Sequence, residues 1–419
     1  MEFRLKAMEK KMRKLAKIVG IFVVMILSTS RGEANSEILI GDIFSIGGPT
    51  AILSTPYILA VDQAVKEIND SGGVLGRKLK IIRKNDKAAP SLSGTLAEEL
   101  VTKDKVNFLI GGVDTGFCRA ISEVAQKHKV LYFMSVCQSP AMTAELFHPY
   151  LARTTMATSQ FIRAAAKYAS VQLKGANKWV VISTANDYGK TVWKDFSEEM
   201  KKRNPKFEVV AEHWPMPAES DMTGYIAAIS SSGADAIFSG LWGSTSVNFI
   251  KQGTPFGIFK KMKYVGNNAG TPEEINALGR DVVEGGIGPT SVWLKADIAK
   301  TNPDFPRWHK EFLVASKGVE PSVMTDFAYR TVYGLVAAIR AAGSTKAEDV
   351  VKVLGKGYKF KLPWTEITMR GCDHQAIADV AVGYTRKTSD KKRGEFFVAD
   401  VYNGAEFYPS CSEVKKLQK

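Results

Sequence analysis

The chain has 419 residues, of which 45% are hydrophobic and 24% charged. That balance excludes disordered and collagenous classes and leaves room for two cores. The formal charge of +14 suggests a nucleic-acid binder until the amino terminus is set aside. Eight of the 57 Lys+Arg and three of the 43 Asp+Glu lie within residues 1–34, leaving +9 for the rest. Those charges are scattered over short runs such as MKKRNPK (200–206), with no aromatic-interleaved stripe. A solvated basic surface is expected, and nucleic acid is not a partner.

Residues 1–17 are rich in Lys and Arg, and Ile18–Leu27 form an apolar run broken only by Gly20. Small and polar residues follow, ending in GEA before Asn35. This pattern reads as a secretory leader cleaved near Ala34, with the mature chain soluble in the periplasm. A membrane anchor is disfavoured because a spanning helix needs about 20 apolar residues.

From residue 38 strand and helix take turns. ILIGDIF (38–44) reads as strand, PYILAVDQAVKEIN (56–69) as helix and KLKIIRK (78–84) as strand. Between that helix and strand, Gly72 or Gly73 suits a left-handed closing residue and Gly76 a second reversal. Helix 91–104, strand 106–112, helix 118–129 and strand 130–136 follow. The rhythm restarts with helix 158–173, strand 178–184 and helix 188–203, then strand 207–214, helix 222–233 and strand 234–240. Segments 244–253, 261–267, 273–279 and 284–292 continue it. Helical stretches 305–318 and 323–343 precede a strand-rich end from about 364 that carries the charged turn KTSDKKRG (387–394).

Short apolar strands without alternation, separated by amphipathic helices, predict an α/β protein of two doubly wound parallel-sheet lobes. The expected division is a first lobe from 35 to 155 and a second from 156 to 288. Residues 289–345 return to the first lobe, and 346–419 supply hinge and second-lobe elements. Facing lobes place their carboxyl strand ends on one cleft, where such sheets bind ligands and where a hinge can close.

Four cysteines occur, and Cys372 and Cys411 flank an expected hairpin, which favours a bridge between them. Three full pairings are open to Cys118, Cys137, Cys372 and Cys411. Neither cysteines nor histidines show metal-ligand spacing, so no metal and no cofactor is expected. TANDYGKT (184–191) departs from a phosphate loop at its first position and carries Asp187 and Tyr188 where phosphate would sit. It reads instead as a strand-end loop offering Tyr188 to the cleft. With no nucleophile elbow and no paired Cys/His arrangement, an enzyme is disfavoured. What remains are small polar residues at strand ends. Asp114 and Thr115 follow the third strand, and Ser135, Cys137, Gln138 and Ser139 follow the fourth. Hydroxyls and free N–H groups at helix amino termini suit an anionic ligand group, although plain capping explains each motif alone.

The opening block IGGPTAILSTPYILAVDQAVKEINDSGGVLGRKLKII, with FLIGGVDTGFC and ANDYGKTV, resembles the type I periplasmic solute-binding proteins of ABC importers, in their branched-chain amino-acid-binding subgroup. The likeness covers nearly all of the mature chain. It implies that Thr115, the backbone at Cys137 and Ser139 hold the ligand's polar head. It further implies that Leu53, Tyr188, Trp242 and Met324 line its side-chain pocket. Where that subgroup carries a glutamate for the ligand ammonium, this chain offers Asn268, so either Asp114 supplies the countercharge or the ligand lacks an ammonium. The expectation is a monomer that captures an amino acid, amide or carboxylate and delivers it to an ABC permease. The alternative is a ligand-sensing receptor module with a separate signalling partner.

Overall fold

The computed structural model describes residues 37–47, 50–290 and 303–418; the leader expected at 1–34 lies outside them. In β1 (Ile38–Phe44), Ile38, Ile40 and Phe44 enter one core layer and Ile43 the opposite one, all fully buried. A strand covered on both faces needs an apolar run, which is why ILIGDIF shows no alternation. It pairs in parallel with β2 (Leu79–Asn85) and β3 (Phe108–Gly111), and β4 (Leu131–Met134) and β5 (Leu151–Arg153) extend the sheet. The strand order is β2-β1-β3-β4-β5. Helices α1 (Ala51–Asp70), α2 (Pro90–Thr102) and α3 (Thr115–His128) connect these strands.

The second lobe repeats the scheme. It contains β6 (Lys178–Ser183), β7 (Glu208–His213), β8 (Ala236–Gly240), β9 (Lys263–Gly266) and β10 (Ile287–Thr290). Its helices are α4 (Thr158–Gln172), α5 (Asp187–Arg203), α6 (Thr223–Ser230), α7 (Gly243–Gly253) and α8 (Pro272–Leu278). The order β7-β6-β8-β9-β10 matches that of the first lobe strand for strand. Each sheet therefore has a switch point, between β1 and β3 in one and between β6 and β8 in the other, where adjacent loops diverge and leave a crevice.

After β10 the chain returns to the first lobe as α9 (Phe305–Ala315), α10 (Val323–Ala342) and α11 (Ala347–Lys356). The strand-rich end divides between the lobes. Strands β11 (Tyr358–Leu362), β12 (Thr365–Met369) and β13 (Ala376–Ile377) form a small antiparallel sheet whose Phe360, Leu362, Ile367 and Met369 join the first core. Strands β14 (Asp379–Lys387) and β15 (Gly394–Asn403) make the expected hairpin, added antiparallel to β10. The last helix, α12 (Cys411–Leu417), is tied back by the Cys372–Cys411 disulfide across a Cα–Cα distance of 5.8 Å.

Arg153, fully buried at the end of β5, joins that strand to the segments around Gln375 and Ser139–Thr143. It donates to Gln375 Oε1 at 2.5 Å, Ser139 O at 2.6 Å and Thr143 Oγ1 at 3.0 Å. Gln375 in turn donates to Thr155 O at 2.8 Å.

The glycine-rich turn after α1 works as its composition predicts. Gly72, Gly73 and Gly76 all have positive φ. A Cβ on Gly73 would lie 2.1 Å from Arg77 O, so only glycine permits the tight return into β2. None of these glycines lines the interlobe cavity; the turn is scaffold.

Candidate ligand-binding site

A cavity of about 90 Å³ lies between the lobes, at both switch points. One water needs roughly 10–15 Å³ by this measure, so the space suits a compact organic solute. From the first lobe, Leu53 comes from the first turn of α1, Asp114 from the β3–α3 loop, and Cys137 and Gln138 from the segment after β4. Tyr188 opens α5, Trp242 precedes α7, and Asn267 and Asn268 follow β9. Met324 stands in the first turn of α10.

Seven of the nine residues expected from sequence therefore share this wall: Leu53, Asp114, Cys137, Tyr188, Trp242, Asn268 and Met324. Thr115 and Ser139 are buried beside it and do not line it. Thr115 Oγ1 has no hydrogen-bond partner among the described residues, and the Ser139 carbonyl is taken by Arg153. After Ser139 the chain makes a single 3₁₀ turn, Pro140–Thr143, before β5. The anion site expected at the amino end of α3 is faced by the chain's own Asp114 carboxylate, beside the N–H groups of Thr115 and Gly116.

The two first-lobe loops are stapled by a disulfide between Cys118 and Cys137, with Cα atoms 6.3 Å apart. It passes over Gly112, whose φ is +82° and where a Cβ would lie 2.2 Å from Cys118 Sγ. The glycine is required both by backbone and by space.

Asn186 and the acids of α8 have no counterpart in the sequence expectations. Asn186 Oδ1 caps α5 through Gly189 N–H at 2.9 Å, while its Nδ2 crosses the cleft to Asp114 Oδ2 at 2.8 Å. Glu273 and Glu274 both line the cavity. Glu273 Oε1 accepts from Met324 N–H at 3.0 Å, and its other oxygen has no partner. Glu274 Oε2 is likewise unpartnered, as is Trp242 Nε1. Burial pushes Glu274 up to about 7, opposed by the Ser246 hydroxyl and reinforced by the Glu273 charge. Burial also pushes Asp114 up to about 6, with the Thr115 and Gly116 N–H groups opposing and the Asp187 charge adding to it. Tyr188 is raised by burial despite the hydrogen bond from Asn267 Nδ2 at 3.0 Å.

Three carboxyl groups thus line the cavity, and no Lys, Arg or His does among the described residues. Nor does a nucleophile–base pair: its cysteine is a disulfide and it contains no histidine. Among the described residues no group of His, Cys, Asp and Glu is placed to hold a metal.

A family model described as a periplasmic binding protein matches residues 37–391. The chain belongs to that family. The fold confirms it as a type I periplasmic binding protein, with two parallel-sheet lobes about a cleft. A Leu/Ile/Val-binding protein homolog from Brucella suis is 25% identical over 334 residues, covering 79% of this chain and 85% of the relative. Among solved structures, a periplasmic binding protein from Burkholderia mallei superposes with a TM-score of 0.80 at 21% identity, covering 90% of this chain and 97% of that one. An ABC-transporter solute-binding protein from Rhodopseudomonas palustris, in complex with 3,4-dihydroxybenzoic acid, superposes with a TM-score of 0.76 at 21% identity, covering 89% and 98%. This periplasmic binding protein is thus similar to relatives named for branched-chain amino acids and to one holding an aromatic acid.

Proposed function

We propose that the protein is an exported, non-enzymatic solute-binding component of an ABC importer. It closes on a small organic molecule that presents an ammonium or amide N–H group to Glu274, and delivers it to a membrane permease. The observation that carries this reading is a cavity walled by Asp114, Glu273 and Glu274 with no basic side chain among the described residues. A solute with only a carboxylate would meet three acids and, among the described residues, no cation, and burying like charges together costs far more than at a surface. An ammonium offsets that charge and completes the unpartnered Glu274 oxygen in a charge-assisted hydrogen bond. Asn268 therefore need not replace the subgroup's glutamate, since the acid is supplied from α8. Trp242 offers a flat apolar face and an N–H to the rest of the molecule.

The test is a thermal-shift and calorimetric screen of amino acids, amides, and aliphatic and aromatic carboxylates. A ligand bearing an amine or amide should bind one per chain. At 100 times its dissociation constant it should stabilise the fold by about 2.7 kcal/mol. Binding confined to amine-free carboxylates would overturn the ligand class. Sequencing the exported protein should find Asn35 at its amino terminus.

A further inference from the structure

We infer that Glu273 is a positioning residue that latches the two lobes together, its carboxylate seated on the amino end of α10. The first four N–H groups of any helix lack partners within it. In α10 the Ser322 hydroxyl takes the N–H of Thr325, leaving that of Met324 available. Glu273, from the facing lobe, fills the position at 3.0 Å. The two residues stand on rigid bodies. Helix α10 is held in the first-lobe core by Phe327, Val332 and Leu335, and α8 in the second lobe by Ile275 and Leu278. Both residues line the cavity, so their hydrogen bond exists only while its walls are together.

A bond of this kind is worth more than its single distance suggests. The amino terminus of a 20-residue helix carries a partial positive charge, and the carboxylate meets it away from water. Among the described residues no cation pairs with Glu273. Ser322, Val323 and Met324 face it from α10 and Glu274 from its own helix, and burial raises its pKa. Second-lobe packing alone would be satisfied by an apolar side chain. An acid held there at a desolvation cost is accounted for by what it grips. The Asn186–Asp114 bond also joins the lobes, so removing Glu273 leaves that tie in place.

The inference concerns the cavity proposed above as the solute site, but its test needs no ligand. Small-angle scattering is recorded at pH 5.5 on the purified ligand-free protein and on the Glu273→Ala and Glu273→Gln proteins, with circular dichroism and melting to confirm folding. A compact chain of this length has a radius of gyration of roughly 21–22 Å. Glu273→Ala should enlarge it by on the order of 1 Å through lobe opening. Glu273→Gln keeps an oxygen acceptor for Met324 N–H but loses the charge, and should expand less than Glu273→Ala. A Glu273→Ala curve superposable on the parent overturns the latch. So does equal expansion of both variants, which would assign the effect to something other than the acceptor. Failure of the ligand screen would leave either result standing.

Discussion

Glu274 and Trp242 line the cavity, and Glu274 Oε2 and Trp242 Nε1 have no hydrogen-bond partner among the described residues. Buried polar atoms are nearly always paired, and one left alone costs about 1–3 kcal/mol. A bound solute that reaches both recovers this cost, which makes them the atoms most directly tied to affinity. Glu274→Gln should weaken an ammonium-bearing ligand by roughly tenfold to a hundredfold, and leave a neutral isostere within a few fold, by calorimetry. Equal losses for both ligands would show that Glu274 supports the wall and does not touch the solute. The first-lobe wall is legible in the sequence because its loops follow strands with short polar motifs, as at Asp114 and Cys137. The acids of α8 are not. At the start of a helix, Glu273 and Glu274 read as ordinary complements to the helix dipole, and glutamate is rarely buried. Their burial is a property of the lobes meeting, which no local pattern encodes.

The Cys118–Cys137 bridge acts at the level of elements. It joins the first turn of α3 to the segment after β4, so the two loops that form the first-lobe wall move as one unit. With the cysteines 19 residues apart in sequence, closing that loop in the unfolded chain contributes roughly 3 kcal/mol. Replacing both cysteines by serine should lower the unfolding free energy by about that amount. It should also speed amide exchange at residues 113–117 and 136–139, measured by mass spectrometry. A loss of stability with unchanged exchange in those loops would deny the bridge any part in shaping the site. The bridge itself is one of three pairings open to sequence, whereas the Cys372–Cys411 bridge is favoured by the hairpin it flanks. Elements with strong periodicity, β1 and α4 among them, match their expected bounds within a residue or two. Helix α1 begins five residues before its expected start because Pro56, which suits a first helical position, lies inside the helix. The small sheet β11–β12 is only partly legible because its pairing depends on packing over α10 rather than on a local turn signal.

For the whole molecule, closing the lobes moves Asp114, Glu273 and Glu274 from water into a cavity without a basic side chain among the described residues. In an open form the carboxyls regain water, and their ordinary values are 3.8 and 4.5; closed, Asp114 rises to about 6 and Glu274 to about 7. The closed form therefore binds more protons than the open form between about pH 4 and 7. The sign follows directly. Below the open-form values all three groups are neutral in both states and closing carries no charge penalty. As pH rises through the closed-form values, the closed state must either keep protons or bury charge. Asp114 and Glu274 each then disfavour closing by about 1.4 kcal/mol for every tenfold difference in proton affinity between the two forms, while the Glu273 carboxylate is held by the α10 amino terminus. The groups facing them do not cancel this. Asp187 adds negative charge beside Asp114, Asn186 and Tyr188 are neutral, and Ser246 and the α10 amino terminus give partial relief. At the hinge, burial holds His374 down at about 4, so it stays neutral over most of the range. A cationic ligand can take the place of the missing protons. The ligand-free protein should thus scatter as the compact form at pH 5 and shift toward the open form by pH 8. Affinity for an ammonium-bearing solute should rise over the same interval. Scattering that does not change between pH 5 and 8, with a ligand affinity equally flat, would mean that Asp114 and Glu274 keep their ordinary protonation in the closed cleft.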